Sequence, residues 1–196
     1  MTEPAVLSPA TYEDLLKVPE NLVAELIDGQ LYTWPRPGAA HANASSVLGA
    51  LLNAAYQQGR GGPGGWWIID EPQLQLGEQN AVPDIAGWRR ERMPDYPDTS
   101  GCNIAPDWLC EIQSESNARY DRVVKLPLYA RHSVSHVWML DPRAKTLEVL
   151  RLEDGRWVVA ANFGEDDVAR AEPFAEIEIP LTALWLPTPP SPQSSR

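Results

Sequence analysis

Residues 105–131 read APDWLCEIQSESNARYDRVVKLPLYAR and carry the pattern that decides the fold. DWLCEIQ at 107–113 has the length and apolar content of a buried strand, and SESN at 114–117 supplies candidate N-cap residues. The apolar spacing that follows predicts a helix over 118–131, bent at Pro127. Glu111 stands inside the apolar strand, where an unpaired charge is costly, so a metal ion or a cation must lie close to it.

The segments on either side predict further strands and helices. Thr11 and Asp14 are spaced as a capping box, and Asp28-Gly29 is a strong hairpin signal. Apolar residues recur at three and four between 41 and 58, as one face of a helix does. The predicted helices are 11–16, 41–58 and 118–131. The predicted strands are 22–27, 31–34, 66–70, 74–76, 82–88, 107–113, 136–140, 147–152, 157–161 and 176–179, with a long surface loop over 89–106.

Composition indicates one domain with a sizeable core. The chain has 196 residues, of which 43% are hydrophobic, and its eight tryptophans are expected to be buried or at an interface. We assign residues 1–186 to this domain and expect the Pro- and Ser-rich tail 187–196 to be disordered. Cys102 and Cys110 are expected to be free thiols. No stretch approaches the roughly 20 apolar residues of a membrane span, and the first residues lack the features of a secretory signal, so we expect a cytoplasmic protein.

The charge balance limits the partners. The formal net charge of −11 opposes broad electrostatic adhesion to nucleic acid or to an acidic membrane. Most of the cations lie between residues 84 and 156, where the candidate site also lies. The glycine run 59–65 lacks the lysine of a phosphate-binding loop, and His132 and His136 lack the glutamate of a zinc protease motif.

Two carboxylates stand on predicted neighbouring strands. Asp84 follows Pro83 at one strand, and Glu111 lies on the next. Such a pair can hold Mg²⁺, which binds oxygen ligands and keeps several waters. Gln113 lies two residues after Glu111 and therefore on the same strand face, and Lys125 on the following helix can reach back toward the strand end. In this arrangement a metal activates water and stabilises the phosphate in the transition state.

The order Pro-Asp, then Glu-x-Gln, resembles the PD-(D/E)XK nuclease signature, whose last position is normally lysine. The wider pattern resembles the Uma family of restriction-endonuclease-like proteins over most of residues 11–185. The segments that carry this resemblance are AELIDGQL (24–31), His41 at a helix start, VPDI (82–85), APDWLCEIQSES (105–116), DRVVKLPLYARHSVSHVWMLDP (121–142) and LEVLRL (147–152).

The resemblance implies a restriction-endonuclease-like α/β (α+β) fold, a mixed β-sheet flanked by helices. It implies a Mg²⁺-dependent endonuclease acting on DNA, with Mn²⁺ as a second usable metal. Asp84 and Glu111 would be the metal ligands, with Glu25 and His41 near the same cleft. Lys125 would stand in for the lysine that Gln113 replaces, and either side chain would position the attacking water.

Other interpretations remain open at this stage. Gln113 and the acidic net charge favour a catalytically weak or inactive binding or assembly protein on the same fold. Glu111 could instead have a structural partner such as Arg122. The cluster Arg89, Arg90 and Arg92 could contact phosphates or be ordinary surface charge. The tryptophans and an exposed strand edge are compatible with a homodimer.

Overall fold

The computed structural model describes residues 9–99 and 101–187. Its strands are β1 (Leu22–Ile27), β2 (Gln30–Pro35), β3 (Trp66–Asp70), β4 (Leu74–Leu76), β5 (Gln79–Ala81), β6 (Ile85–Arg89), β7 (Trp108–Ile112), β8 (His136–Asp141), β9 (Thr146–Glu153), β10 (Arg156–Gly164), β11 (Val168–Ala169) and β12 (Ile179–Pro180). Its helices are α1 (Tyr12–Leu15), α2 (Ala39–Leu52), α3 (Ala118–Tyr120) and α4 (Leu126–Arg131). A π-helical turn (Asn53–Gln57) follows α2, another (Asp121–Lys125) joins α3 to α4, and a 3₁₀ turn spans Leu181–Leu184.

A six-stranded mixed sheet forms the centre of the fold. Its strand order is β10-β9-β8-β7-β6-β3, in which β7 and β8 are parallel and the other neighbours are antiparallel. Parallel neighbours need a crossover connection, and the helical segment 118–131 provides it. The expected mixed sheet flanked by helices is confirmed. A four-stranded antiparallel sheet of order β2-β1-β5-β4 and a β11-β12 pair accompany it.

The two faces of the six-stranded sheet are covered by different layers. Side chains alternate along a strand, so Trp108, Cys110 and Ile112 of β7 face α2 in one core cluster. Leu109 faces the opposite side, in a second cluster with residues of α4 and the four-stranded sheet. Glu111 shares the parity of Leu109. The carboxylate therefore lies beneath the helical crossover.

Tryptophans form much of the first cluster. The rings of Trp66, Trp108 and Trp138 pack around Phe174, with centroid distances of 4.9, 4.9 and 5.7 Å. All four residues are buried. The burial predicted for tryptophans is confirmed for these three. Cys102 and Cys110 are both free and buried.

Most predicted elements are present, with shifted ends. The expected capping box of Thr11 and Asp14 starts α1, and the hairpin predicted at Asp28-Gly29 forms between β1 and β2. The helix expected over 41–58 begins instead at Ala39. The strand expected over 82–88 begins at Ile85 because the Asp84 side chain accepts a hydrogen bond from the Ile112 N–H, where a backbone partner would otherwise continue the ladder.

Two predictions about local structure are wrong. The strand expected over 176–179 contains only Ile179, since the Ile177 N–H bonds to the Phe174 carbonyl in a turn. The loop between β6 and β7 is not merely a surface loop, because Met93 and Cys102 are buried in the second cluster. The predicted disordered tail lies outside the described residues except for Pro187. Within the described ranges, no helix has both the length and the apolar character needed to cross a membrane.

Candidate active site

Asp84 lies directly before β6, opposite the end of β7. The antiparallel register pairs Ile85 with Cys110, so one step further Asp84 faces Glu111 and points to the same side of the sheet. Oδ2 of Asp84 accepts the Ile112 N–H at 2.6 Å, and Oδ1 lies 2.9 Å from Nε2 of His41. These bonds hold the carboxylate at the junction of β6, β7 and α2.

Glu111 is buried, at 2% exposure. Its Oε1 lies 2.8 Å from Nζ of Lys125 and accepts a 2.5 Å hydrogen bond from the Tyr129 hydroxyl. Burial raises the pKa of Glu111 well above its ordinary value; the Lys125 charge opposes this effect and nearby carboxylates add to it. Arg122, the structural partner considered from the sequence, pairs with Glu148 instead.

Lys125 joins Glu111 to Glu25. Its Nζ lies 3.1 Å from Oε1 of Glu25 and donates to the carbonyl of Val82 at 3.2 Å. The same Glu25 oxygen accepts the Val82 N–H at 2.7 Å. Burial acts to lower the pKa of Lys125, but the surrounding carboxylates, led by Glu111, outweigh it and raise this pKa well above its ordinary value. Lys125 is therefore a buried ammonium held on two carboxylates.

His41 lies in the first turn of α2 and is 7% exposed. Burial acts to lower its pKa, but the hydrogen bond and charge of Asp84 outweigh it and raise the pKa above 6.5. Nδ1 of His41 is buried without a hydrogen-bond partner. Asp84 thus has a buried imidazole beside it.

Asp121 belongs to the same group of buried and partly buried charged residues as Glu25, Asp84, Glu111, Lys125 and His41, which we call the cluster. It is not among the site residues predicted from the sequence. It is 1% exposed, and its Oδ2 is buried without a hydrogen-bond partner. Burial raises its pKa to about 7, with Lys125 opposing and Asp84 and Glu25 adding to the rise. Its position four residues before Lys125 on the same helical segment was the available signal, because residues at that spacing share a face.

Gln113 does not join the cluster. β7 ends at Ile112, and Gln113 is buried beyond it with its Nε2 unpartnered. It is not among the described residues that line the cavity next to the cluster. Of the two side chains predicted to position water, the structure brings Lys125, and not Gln113, to Glu111.

The cluster lines a cavity of about 470 Å³. Acidic side chains dominate its polar wall, against the cations of Arg36 and Lys125 and the imidazole of His41. The acidic lining residues are Glu25, Glu71, Asp84, Glu111, Glu115 and Asp121. An excess of carboxylates at a partly desolvated site favours binding of a cation.

The donor set fits a hard divalent cation. Asp84 and Glu111 line one cavity. Each Asp84 oxygen has one of the described hydrogen-bond partners for its two lone pairs, whereas Oε1 of Glu111 has two, so Oε2 of Glu111 would be the coordinating atom. Within residues 9–99 and 101–187, no three His, Cys, Asp or Glu side chains are grouped so that they could hold an ion. Mg²⁺ is commonly bound through one or two carboxylates and several waters, so the two facing carboxylates are a chemically suitable pair.

The arginine cluster after β6 is used within the protein. Arg90 donates to the carbonyls of Trp66 and Gln57, and its guanidinium lies 4.1 Å from the ring centroid of Trp67. Arg92 pairs with Asp107. These contacts lie at the opposite end of β6 from Asp84, about 17 Å away at the ordinary rise of a strand. These contacts favour a role for Arg90 and Arg92 within the protein over contact with phosphates.

Comparison with known proteins identifies the family of this chain. Residues 9–183 match the Uma2 family, described as "Putative restriction endonuclease". The chain belongs to the Uma2 family. The Uma2 match extends from the residues before α1 into the 3₁₀ turn and includes every residue of the cluster. It confirms the resemblance identified from the sequence.

A solved structure supports the same fold. It is described as "a putative nuclease belonging to DUF820 from Anabaena variabilis ATCC 29413". The two chains are 25% identical, with a TM-score of 0.72, and the alignment covers 90% of this Uma2 chain and 97% of the other. No curated protein matches this chain at significant similarity.

Proposed function

We propose that this chain is a metal-dependent nuclease that hydrolyses phosphodiester bonds, with DNA as its substrate. The observation that carries the proposal is the placement of Asp84, directly before β6, opposite Glu111 of the adjacent strand β7, with both residues lining one cavity. Membership of the Uma2 family and the similar nuclease structure support it. Asp84 and Glu111 are the proposed metal ligands.

The cation supplies Lewis-acid stabilisation of phosphate charge and a lowered pKa for water. Mg²⁺ is the proposed ion, with Mn²⁺ as a substitute of similar oxygen preference. The protein contributes orientation: the Ile112 N–H and His41 hold Asp84, while Tyr129 and Lys125 hold Glu111. Carboxylates fixed in this way do not have to reorganise when a cation binds.

Lys125 acts through its charge. An ammonium has three donors, and those of Lys125 are taken by Glu111, Glu25 and the Val82 carbonyl. A phosphate oxygen could therefore receive a hydrogen bond from Lys125 only if one of these bonds were exchanged. Its positive charge in the cavity wall still offsets negative charge that develops on the phosphate.

The same observation supports one alternative. Because the protein itself satisfies Lys125, and Gln113 lies outside the cavity lining, the chain could be an inactive binding or assembly protein on this fold. Metal binding separates the two proposals. A nuclease must bind Mg²⁺ or Mn²⁺ and lose that binding with its carboxylates, whereas an inactive relative has no such requirement.

The test combines metal titration with plasmid nicking. The wild type is expected to bind Mn²⁺ by calorimetry and to nick DNA with Mg²⁺ or Mn²⁺. Asp84→Asn and Glu111→Gln should abolish both, because each removes one of only two charged ligands. Glu148→Gln is the matched control. Glu148 lies on β9, pairs with Arg122, and is not among the described residues that line the cavity. Absence of metal binding and nicking in the wild type would overturn the proposal in favour of the inactive alternative.

A further inference from the structure

Five consecutive residues, Trp34–Gly38, form one side of the cavity mouth; we call them the rim segment. They read WPRPG, lead from the end of β2 into α2, and all line the cavity. Pro35 and Pro37 each fix the backbone φ angle, so this wall loses little conformational freedom when a ligand binds. None of the six acidic lining residues belongs to the rim segment. Its chemistry is aromatic and cationic, unlike that of the opposite wall.

The N-terminus of α2 opens at the rim segment. Gly38 is its N-cap and provides no side-chain cap, and the first turn holds no acidic residue. The first backbone bond of the helix runs from the Ala42 N–H to the Gly38 carbonyl, so the preceding N–H groups have no partner within the helix. A helix N-terminus of this kind favours a bound anion, above all a phosphate.

Two side chains give independent support for a ligand at this point. His41, in the same turn, is 7% exposed, lines the cavity, and has an unpartnered Nδ1. Arg36 is exposed, and its described hydrogen bond goes to the backbone carbonyl of Glu20 at 3.2 Å. Of the two cations in the described lining, Lys125 is held by carboxylates. Arg36 is therefore the cation placed to meet an entering phosphate.

Trp34 adds an aromatic surface next to the phosphate position. Its ring is partly exposed, lines the cavity, and packs against Tyr120 at a centroid distance of 5.1 Å. Aromatic rings bind unpaired bases by stacking, largely without sequence preference. A base on Trp34 and a phosphate at Arg36 use neighbouring parts of one ordered segment.

The size and charge of the cavity restrict what enters. A volume of about 470 Å³ is that of a small-molecule site and suits about one nucleotide. The acidic wall repels additional phosphates, and the chain carries a net charge of −11. A protein that grips a duplex neutralises many phosphates along both strands. In the described lining, only Arg36 and one helix N-terminus are placed to bind phosphate, which is too little for a duplex.

We propose that the cavity binds a single unpaired nucleotide, with its base on Trp34 and its phosphate between Arg36 and the N-terminus of α2. The substrate class is then single-stranded nucleic acid, or a duplex end from which one nucleotide has separated. The inference rests on the proposed nuclease function, since it names the substrate class of the same site.

Binding is measured by fluorescence anisotropy with a fluorescein-labelled oligothymidylate, in EDTA and in Mg²⁺. A matching oligouridylate tests RNA, and a blunt hairpin duplex is the competitor. The wild type should bind a single strand more tightly than the hairpin, and the ratio of DNA to RNA affinity identifies the favoured source. The log of affinity against log salt should have a slope between about −0.7 and −1.4, as expected for one or two neutralised phosphates.

Three variants test the individual contacts. Trp34→Ala should weaken binding at least about five-fold, the lower end of stacking losses per base, and Trp34→Phe should restore most of it. Arg36→Gln should bring the salt slope closer to zero. Ala39→Pro removes one N–H donor at the first helical position, where proline is tolerated, and should weaken binding without lowering the melting temperature. Arg156→Gln on β10 is the control for loss of one positive charge.

The outcomes separate this inference from the nuclease proposal. Single-strand binding that depends on Trp34 and Ala39, with no cleavage, supports the inference and contradicts hydrolysis. Duplex cleavage without single-strand binding supports hydrolysis and overturns the inference. Binding that is unchanged in Arg36→Gln and Ala39→Pro, or that favours the hairpin, also overturns it. These two variants keep the test decisive if Trp34→Ala does not fold.

Discussion

Nζ of Lys125 lies 2.8 Å from Oε1 of Glu111, although the two residues are on different elements of the crossover from β7 to α4. The π-helical turn Asp121–Lys125 places this lysine over the strand end. Single π-helical turns are often found at functional sites. A lysine from a helix thus contacts Glu111, whereas Gln113, on the chain after β7, is not among the described residues that line the cavity.

Removing this lysine should strongly destabilise the fold. Lys125→Met leaves Glu25 and Glu111 buried without their cation, and breaking a buried ion pair from one side costs about 3–5 kcal/mol. Urea denaturation of the metal-free protein measures the loss. Lys17→Met is the control: its pair with Asp14 is exposed, so the substitution should change the unfolding free energy far less than Lys125→Met does. Equal effects of the two substitutions would contradict the assigned role of Lys125.

The hydroxyl of Tyr129 should contribute to the position of Glu111. Tyr129→Phe keeps the buried ring but removes the donor to Oε1 of Glu111, leaving a buried acceptor with one partner fewer. We expect a loss of about 1–3 kcal/mol in unfolding free energy. Tyr12→Phe at an exposed site should have little effect. A calorimetric Mn²⁺ titration should also show weaker binding in Tyr129→Phe, whereas Tyr12→Phe should match the wild type.

The residue types of the site could be predicted from the sequence more fully than their positions in space. Asp84 and Glu111 stand out because charges are rare in buried strands, and their predicted strands are indeed neighbours. Gln113 follows from strand parity as a candidate, but β7 ends at Ile112 and Gln113 is not among the described residues that line the cavity. The spacing of four between Asp121 and Lys125 is a weak signal in the sequence, because what sets Asp121 apart is its burial beside Lys125 and Asp84. Local patterns do not report such tertiary contacts.

The same limit applies to the fold. Strong periodicity and turn chemistry located α2 and the hairpin at Asp28-Gly29. The short strand β5 was absent from the sequence-based assignment, since Gln79–Ala81 has no alternating apolar pattern and forms a strand by pairing with β4 and β1. Strands of this length depend on their neighbours more than on their own residues.

Asp121 should make stability depend on pH. Its pKa is about 7 in the folded protein against 3.8 as the ordinary value, so the folded state binds the proton more tightly and stability falls as pH rises between these values. Burial causes the shift, with Asp84 and Glu25 adding to it and Lys125 and His41 opposing it. Asp121→Asn should therefore be more stable than the wild type at pH 8, by up to about 4 kcal/mol.

The measurement is urea denaturation of both proteins in EDTA from about pH 3 to about pH 8. The two stabilities should converge toward about pH 3, below both pKa values of Asp121, where the carboxyl is mostly protonated in both states and the amide resembles it. Asp154→Asn, in the exposed turn between β9 and β10, is the control and should show no such divergence. A constant difference between Asp121→Asn and the wild type at all pH values would contradict the prediction.

Arg90 and Arg36 should differ in what their loss affects. Arg90→Gln removes donors to the carbonyls of Trp66 and Gln57 and the contact with the Trp67 ring. We expect it to lower the unfolding free energy by about 1.5–3 kcal/mol, the range for hydrogen bonds from charged groups. It should leave the salt dependence of oligonucleotide binding unchanged. Arg36→Gln should do the reverse, because Arg36 is exposed at the cavity mouth. Thermal melts and salt titrations of both variants test this prediction. A salt slope closer to zero in Arg90→Gln would contradict it and would indicate that the arginines after β6 contact phosphates.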